Sequence, residues 1–126
     1  MSDHSGQLAA MKAQIEAFCT DRNWDQFHGI KDLAIGLSTE SAELLELFRF
    51  KSEREIELLL QDAEFAKKLR HEMADVFFFL LRISQLYKID LSQALAEKME
   101  LNQKKYPVEL SRNSNKKYSE LSAKKN

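Results

Sequence analysis

Two pairs of acidic residues could do chemistry together, because the members of each pair are three positions apart. Glu40 precedes Glu43, and Glu72 precedes Asp75. On a helix, side chains with this spacing lie on one face, so two packed helices could bring four carboxylates into one cleft. Charges of one sign that lie so close repel each other strongly. A hard divalent cation with oxygen ligands, Mg2+ or Mn2+, would relieve this repulsion.

Two other interpretations of these acids stay open on spacing alone. Acidic pairs of this kind also occur on solvated helix faces that bind no metal. His71-Glu72-Met73-Ala74-Asp75 is similar to a degenerate zinc-peptidase motif with Asp in the last place. A catalytic zinc site would need a third protein ligand. The sequence has no Glu-x-x-His pair, which argues against a di-iron carboxylate bundle.

The elements that must position these acids are predicted to be helices. Three Gly and one Pro leave few residues for the turns of an all-β fold. Apolar periodicity and capping residues predict an all-α bundle of four to five helices, over about 7–20, 31–48, 53–60, 63–87 and from Asp90 or Ser92 to near Tyr106. The stretch 21–29 has no clean period, and we expect a loop with aromatic and polar side chains there.

Length and composition predict one small domain and exclude several partners. The chain has 126 residues, and we expect a flexible N-terminus (1–6), a helical domain (7–110) and a polar, basic tail (111–126). A net charge of −1 gives no general attraction to nucleic acid or to anionic membranes. The apolar run 76–81 is far shorter than the ~20 residues of a membrane span. The single cysteine, Cys19, and a polar N-terminus predict a cytoplasmic location.

Three consecutive phenylalanines, Phe77 to Phe79, predict self-association. They cover more than half of the helix circumference, and a helix that is apolar on several faces is buried on several faces. One four-helix monomer does not easily cover such a surface. We therefore expect a dimer or a larger homo-oligomer.

The sequence around the acids resembles a known family. Glu40-Ser41-Ala42-Glu43 and, after twenty-eight residues, Glu72-Met73-Ala74-Asp75 are similar to the E-x-x-E…E-x-x-D signature of the all-α nucleotide pyrophosphohydrolases, which include the MazG-like proteins and the dimeric dUTPases. The flanking segments resemble the short MazG-like branch that contains the dCTP pyrophosphatases. These segments are 24–28, 43–51, 98–102, 105–107 and 117–121, and the likeness covers about Phe18 to Leu121.

The resemblance implies an enzyme with a defined metal set and assembly. Such proteins are helical bundles arranged as a tetramer, a dimer of dimers, with active sites between subunits. Glu40, Glu43, Glu72 and Asp75 would hold Mg2+, with Mn2+ as another possibility. The metal would bridge a (deoxy)nucleoside triphosphate such as dCTP or dATP, and water would release pyrophosphate. Glu40 or Glu43 would position or deprotonate that water.

The resemblance also implies positions that contact the substrate. Trp24, His28, Phe50 and Phe79 align with the base and sugar pocket, although the branch commonly has Trp at position 50 and Tyr at 79. The two phenylalanines lack an indole N–H and a phenol hydroxyl, which could admit a purine. Other candidate contacts, to the sugar, base edge or phosphates, are Asn102, Lys31, Lys51, Lys105, Tyr106 and Tyr118. The alternative function is a non-catalytic helical module that senses a nucleotide or binds a partner.

Overall fold

The computed structural model describes residues 2–123, and within that range it contains helices and turns but no strand. The all-α prediction is therefore confirmed. In chain order the helices are α1 (Gly6–Asp21), α2 (Ile30–Glu46), α3 (Glu53–Leu59), α4 (Ala63–Leu86), α5 (Leu91–Lys105), α6 (Val108–Ser111) and α7 (Tyr118–Ala123). Met1 and positions 124–126 of the predicted tail lie outside the described residues.

Side-chain caps begin three of these helices. Each cap satisfies an N–H group of the first turn, which has no carbonyl partner inside the helix. The donor–acceptor pairs are Glu55 N–H to Ser52 Oγ at 3.2 Å, Phe65 N–H to Asp62 Oδ2 at 3.0 Å and Gln93 N–H to Asp90 Oδ1 at 2.9 Å. Of the two residues predicted to cap the last long helix, Asp90 and Ser92, the structure has Asp90 at the N-cap.

The chain forms two compact units, one spanning His4–Ile89 and the other joining the first three positions to the chain from Asp90 onward. The division falls inside the range 7–110 predicted as one domain, whose limits remain a prediction. In the first unit α4 packs against both α1 and α2. Its buried apolar side chains are Cys19, Leu33 and Leu81, one from each of these helices.

Several local expectations differ from the structure. Helical spacing of apolar residues predicts a buried stripe on α4 that includes Met73, Phe77 and Leu80, yet these side chains are 55%, 40% and 39% exposed in the single chain. The expected loop 21–29 contains a short 3-10 helix at Asp25–Phe27. Within residues 2–123, no helix is both long and apolar enough to cross a bilayer.

The predicted flexible N-terminus and the predicted polar tail both contain ordered residues in the second unit. Asp3, in the segment predicted to be flexible, is buried and accepts hydrogen bonds from the first turn of α5. The range predicted as a polar tail contains α7. Asp3 is ordered because its carboxylate accepts hydrogen bonds from N–H groups of the first turn of α5, which have no carbonyl partner inside the helix.

Candidate active site

Helices α2 and α4 run antiparallel, as the residues that meet across them show. Gly36 of α2 lies against Phe79 of α4, whereas Glu43, later in α2, lies near Glu72, earlier in α4. A Cβ atom at position 36 would lie only 2.4 Å from Cε1 of Phe79. Glycine at this position therefore lets the Phe79 ring lie directly against the α2 backbone and brings the two helices close together.

Three carboxylates meet between these helices. Glu40, Glu43 and Glu72 each offer one oxygen, and the three oxygens lie within 4.8 Å of one another. Oε2 of Glu40 and Oε2 of Glu72 are buried and have no hydrogen-bond partner among the described residues. A buried polar atom without a partner is costly. Hard oxygen donors at this spacing fit a divalent cation such as Mg2+.

The electrostatics of this cluster also favour a cation. Burial, the close contact with Glu43 and the charges of Glu43, Asp75 and Glu72 raise the pKa of Glu40 from 4.5 to about 7. Burial, followed by the charges of Glu43 and Asp75, raises the pKa of Glu72, with His71 acting in the opposite direction. Both shifts mean that the cluster resists full ionisation unless positive charge enters it.

Asp75 and His71 lie beside this cluster. Asp75 is exposed on α4, and its charge acts on Glu40 and Glu72 without its oxygens joining the group within 4.8 Å. His71 is also exposed. Among the described residues the group contains no His or Cys, so the structure offers no further support for the zinc interpretation.

Two predicted pocket residues lie in the segment between α1 and α2. Trp24 is 38% exposed. Its ring centroid lies 5.4 Å from that of Phe18 and 6.3 Å from that of His28, both at steep interplanar angles. His28 is half-buried. The structure therefore brings Trp24 and His28 together as one aromatic group.

Sequence reasoning missed the residue that anchors this group. Arg82 of α4 is fully buried, and its guanidinium donates to Nδ1 of His28 at 2.9 Å, to Asp25 and to Gln85. One feature of the sequence could have indicated the role of Arg82. A charged residue next to the apolar run 76–81 needs a buried partner, because an isolated charge is rarely buried.

The remaining predicted contacts of the first unit lie at three places. Phe50 is 90% exposed and has a φ of 63°, a conformation that is unusual for a bulky residue. The guanidinium carbon of Arg49 lies 4.5 Å from its ring centroid. Lys51 follows in the turn before α3, and Lys31 is in the first turn of α2; both are exposed.

Four further predicted contacts lie in the second unit. The rings of Tyr106 and Tyr118 meet edge to face with centroids 6.5 Å apart. Nζ of Lys105 lies 5.9 Å from the Tyr118 ring centroid. Asn102 is half-buried on α5. Lys105, Tyr106 and Tyr118 thus form one local group.

Comparisons with known proteins identify a matching family and several similar chains. A model of the MazG-like family matches residues 35–121, which include all four acids. The chain is 38% identical over 104 residues to dCTP pyrophosphatase 1 of Mus musculus and 35% identical to that of Homo sapiens. Each alignment covers 82% of this chain but 61% of the relative, so the chain spans less than two thirds of their length. The crystal structure of a pyrophosphatase from Archaeoglobus fulgidus superposes with a TM-score of 0.75 at 32% identity, covering 82% of this chain and 95% of that one.

Proposed function

The chain belongs to the MazG-like family, and from this membership we propose that it is a Mg2+-dependent nucleoside triphosphate pyrophosphohydrolase. Its substrate would be a deoxynucleotide such as dCTP or dATP, and its products a monophosphate and pyrophosphate. The observation that carries the proposal is the group of three carboxylates within 4.8 Å, in which two buried oxygens have no partner among the described residues.

In this proposal all four acids bind the cation, and one of them also acts on the attacking water. Glu40, Glu43, Glu72 and Asp75 would hold the cation, and a bound cation would supply positive charge against the triphosphate. Glu40 or Glu43 orients the attacking water and accepts its proton. The bond between the α-phosphorus and the bridging oxygen breaks, and pyrophosphate leaves with the electron pair.

The proposed substrate contacts are those that the family resemblance implies. Trp24, His28, Phe50 and Phe79 would hold the base and sugar, since aromatic surfaces stack on any base. Lys31, Lys51 and Lys105 would contact phosphates, and Asn102, Tyr106 and Tyr118 would contribute polar groups. The relatives named dCTP pyrophosphatase 1 support a pyrimidine substrate. Phenylalanine at 50 and 79 supports testing dATP as well.

The proposed function is tested by measuring pyrophosphate and orthophosphate released from each dNTP and NTP with and without Mg2+. Glu43→Gln and Asp75→Asn should each lower turnover at least ~100-fold, because each removes a charge from the cation site. Glu46→Gln is the matched control, since Glu46 is on the same helix, 65% exposed, and pairs with Arg49. It should keep wild-type activity.

Three outcomes would contradict the proposal. Full activity in both Glu43→Gln and Asp75→Asn would show that these acids do not form the active site. Release of orthophosphate alone would indicate cleavage at another phosphorus atom. Nucleotide binding with no turnover on any substrate would favour the non-catalytic module, and circular dichroism would check that the variants keep their helices.

We also propose that the protein assembles as a homo-oligomer, a dimer of dimers. Apolar side chains of α1 and α4 line an open groove of about 370 Å3. Phe18 and Phe77, which line it, are 39% and 40% exposed. Exposed apolar surface of this kind is typical of a protein–protein interface.

A further inference from the structure

Arg82 is a buried charge with three separate acceptors. Its side chain has no exposed surface. Nε donates to His28, one terminal nitrogen to Asp25 and the other to Gln85. His28 and Asp25 lie 54 and 57 residues away in sequence, on the segment that carries Trp24. Arg82 therefore ties that segment to α4.

The bond from Arg82 determines which nitrogen of His28 carries the proton. A guanidinium only donates hydrogen bonds. Because Nε of Arg82 approaches Nδ1 of His28 at 2.9 Å, Nδ1 must present its lone pair. The proton of the neutral ring then lies on Nε2. That N–H points away from Arg82, and among the described residues no acceptor receives it.

Arg82 also shares a face of α4 with the acids. Glu72, Asp75, Phe79 and Arg82 follow one another at intervals of three, four and three residues, which places them along one stripe of a helix. Seven residues of helix separate Asp75 from Arg82 by about 10 Å. If a nucleotide with its phosphates at the acids extends along this stripe, its base lies on the side of Arg82 and His28.

We propose that Arg82 is a positioning residue that fixes His28 as a neutral Nε2–H donor for an acceptor on the substrate base, either a carbonyl oxygen or an unprotonated ring nitrogen. This inference rests on the proposed function. Arg82 itself does not touch the substrate. It acts by holding the ring orientation and the tautomer of His28.

The charges around His28 are consistent with this role. Burial and the positive charge of Arg82 lower the pKa of His28, and the carboxylate of Asp25 acts against them. His28 therefore stays neutral through the physiological pH range. Removing Arg82 would delete the positive charge and leave Asp25, so the pKa of His28 would rise.

The first experiment reads the tautomer in the unmodified protein. Long-range 1H–15N NMR spectra distinguish Nδ1–H, Nε2–H and cationic rings. The sequence has three histidines. The His28 ring signal is the one that disappears from the spectrum of a His28→Gln variant. We expect the Nε2–H form from pH 6.5 to 8. An Nδ1–H or cationic ring at pH 6.5 would overturn the proposal.

The second experiment separates positioning from general stability. Arg82→Gln should make His28 titrate at higher pH and raise KM about fivefold, as for one lost neutral hydrogen bond, with kcat changed less than about twofold. Arg22→Gln is the control, because Arg22 borders the same segment but contacts Phe18 instead of His28. His28→Gln, which keeps an N–H donor, should bind better than His28→Leu.

The outcomes distinguish this inference from the proposed function. If the wild-type protein hydrolyses no nucleotide, the function fails, while the NMR spectra still decide whether Arg82 sets the tautomer. If hydrolysis occurs but His28→Leu and His28→Gln have equal KM values, His28 is not a donor to the base. If Arg82→Gln leaves the His28 spectrum unchanged, Arg82 does not position it.

Discussion

At the residue scale, the half-buried carboxyl of Glu40 couples the stability of the metal-free protein to pH. Its pKa is raised to about 7 mainly by burial and by contact with Glu43. In the unfolded chain the same carboxyl would ionise near its usual pKa of 4.5. Between these values the folded protein keeps a proton that the unfolded chain has lost. Rising pH therefore favours unfolding until it passes the folded pKa.

We predict that Glu40→Gln stabilises the metal-free protein at high pH. Glutamine is close in shape but has no charge to bury. The free energy of unfolding should rise by on the order of 1–3 kcal/mol at pH 8 and differ little at pH 4.5. Urea unfolding in EDTA at both pH values measures this difference.

Magnesium provides the control for this prediction. Only the wild-type site would bind the ion well, and a ligand that binds the folded state alone stabilises it. At millimolar Mg2+ the stability advantage of Glu40→Gln should shrink or reverse. Equal stability of the two proteins at pH 8 in EDTA would show that ionising Glu40 does not destabilise the folded protein.

The sequence predicted the acids of the site better than it predicted their surroundings. Glu40 and Glu43 could be paired because helical periodicity is local and places residues three apart on one face, whereas Glu72 joins them through the packing of α4 against α2. The bond between Arg82 and His28 joins positions 54 residues apart, and no local period encodes such a contact. Only the packing of the segment 22–29 against α4 reveals it.

At the scale of elements, Gly36 determines how closely α2 approaches α4. We predict that Gly36→Ala destabilises the protein by up to about 2 kcal/mol. Alanine gains about 1 kcal/mol of helix propensity, but a Cβ atom 2.4 Å from the Phe79 ring forces an overpacking cost of about 1–3 kcal/mol. Thermal unfolding of the two proteins measures the net effect.

A double-mutant cycle tests whether Phe79 is the cause. Combining Gly36→Ala with Phe79→Leu removes much of the ring that the new methyl group meets. The double variant should then lose less stability than the sum of the single variants. Simple additivity would mean that the Phe79 ring does not resist the methyl group.

The start of α5 is a second element with a specific stabilising contact. The carboxylate of Asp3 accepts hydrogen bonds from the N–H groups of Leu91 and Ser92 and from the Ser92 hydroxyl. Asp90 accepts from Gln93. Two carboxylates thus satisfy three N–H groups at the positive end of the helix.

We predict that Asp3→Ala destabilises this helix start by about 1–2 kcal/mol. Hydrogen exchange should accelerate at Leu91, Ser92 and Gln93. Ser5→Ala is the control, because Ser5 occupies the N-cap of α1 but its side chain makes no capping bond. Unchanged exchange in Asp3→Ala would mean that water replaces the carboxylate without loss.

The N-terminal ends of helices were predictable where the sequence has a residue whose side chain can cap the first turn. Ser52 and Asp62 cap α3 and α4 as expected, because their side chains bond to N–H groups three residues later. The buried side of α4 was less predictable. Phe77 and Leu80 have the spacing of a core stripe, yet periodicity does not say whether the same chain or another copy covers them.

At the scale of the whole molecule, the uncovered side of α4 predicts the assembly. Phe77 and Leu80 are each about two fifths exposed, and Met73 more than half. If these side chains lie in an interface, the purified protein should have about four times the chain mass of 14.7 kDa, and its melting temperature should rise with concentration. Light scattering coupled to size exclusion measures the mass.

Substitutions on this side should break the assembly and lower activity together. Phe77→Ser with Leu80→Ser removes apolar area that an interface would bury, at about 25 cal/mol per Å2. The variant should shift to smaller species and lose turnover, since the resemblance implies sites built between subunits. Leu58→Ser, at a position 63% exposed on α3, is the control. A monomeric variant with full activity would mean that one chain contains the whole active site. A monomeric wild-type protein would mean that the apolar side of α4 serves something other than self-association.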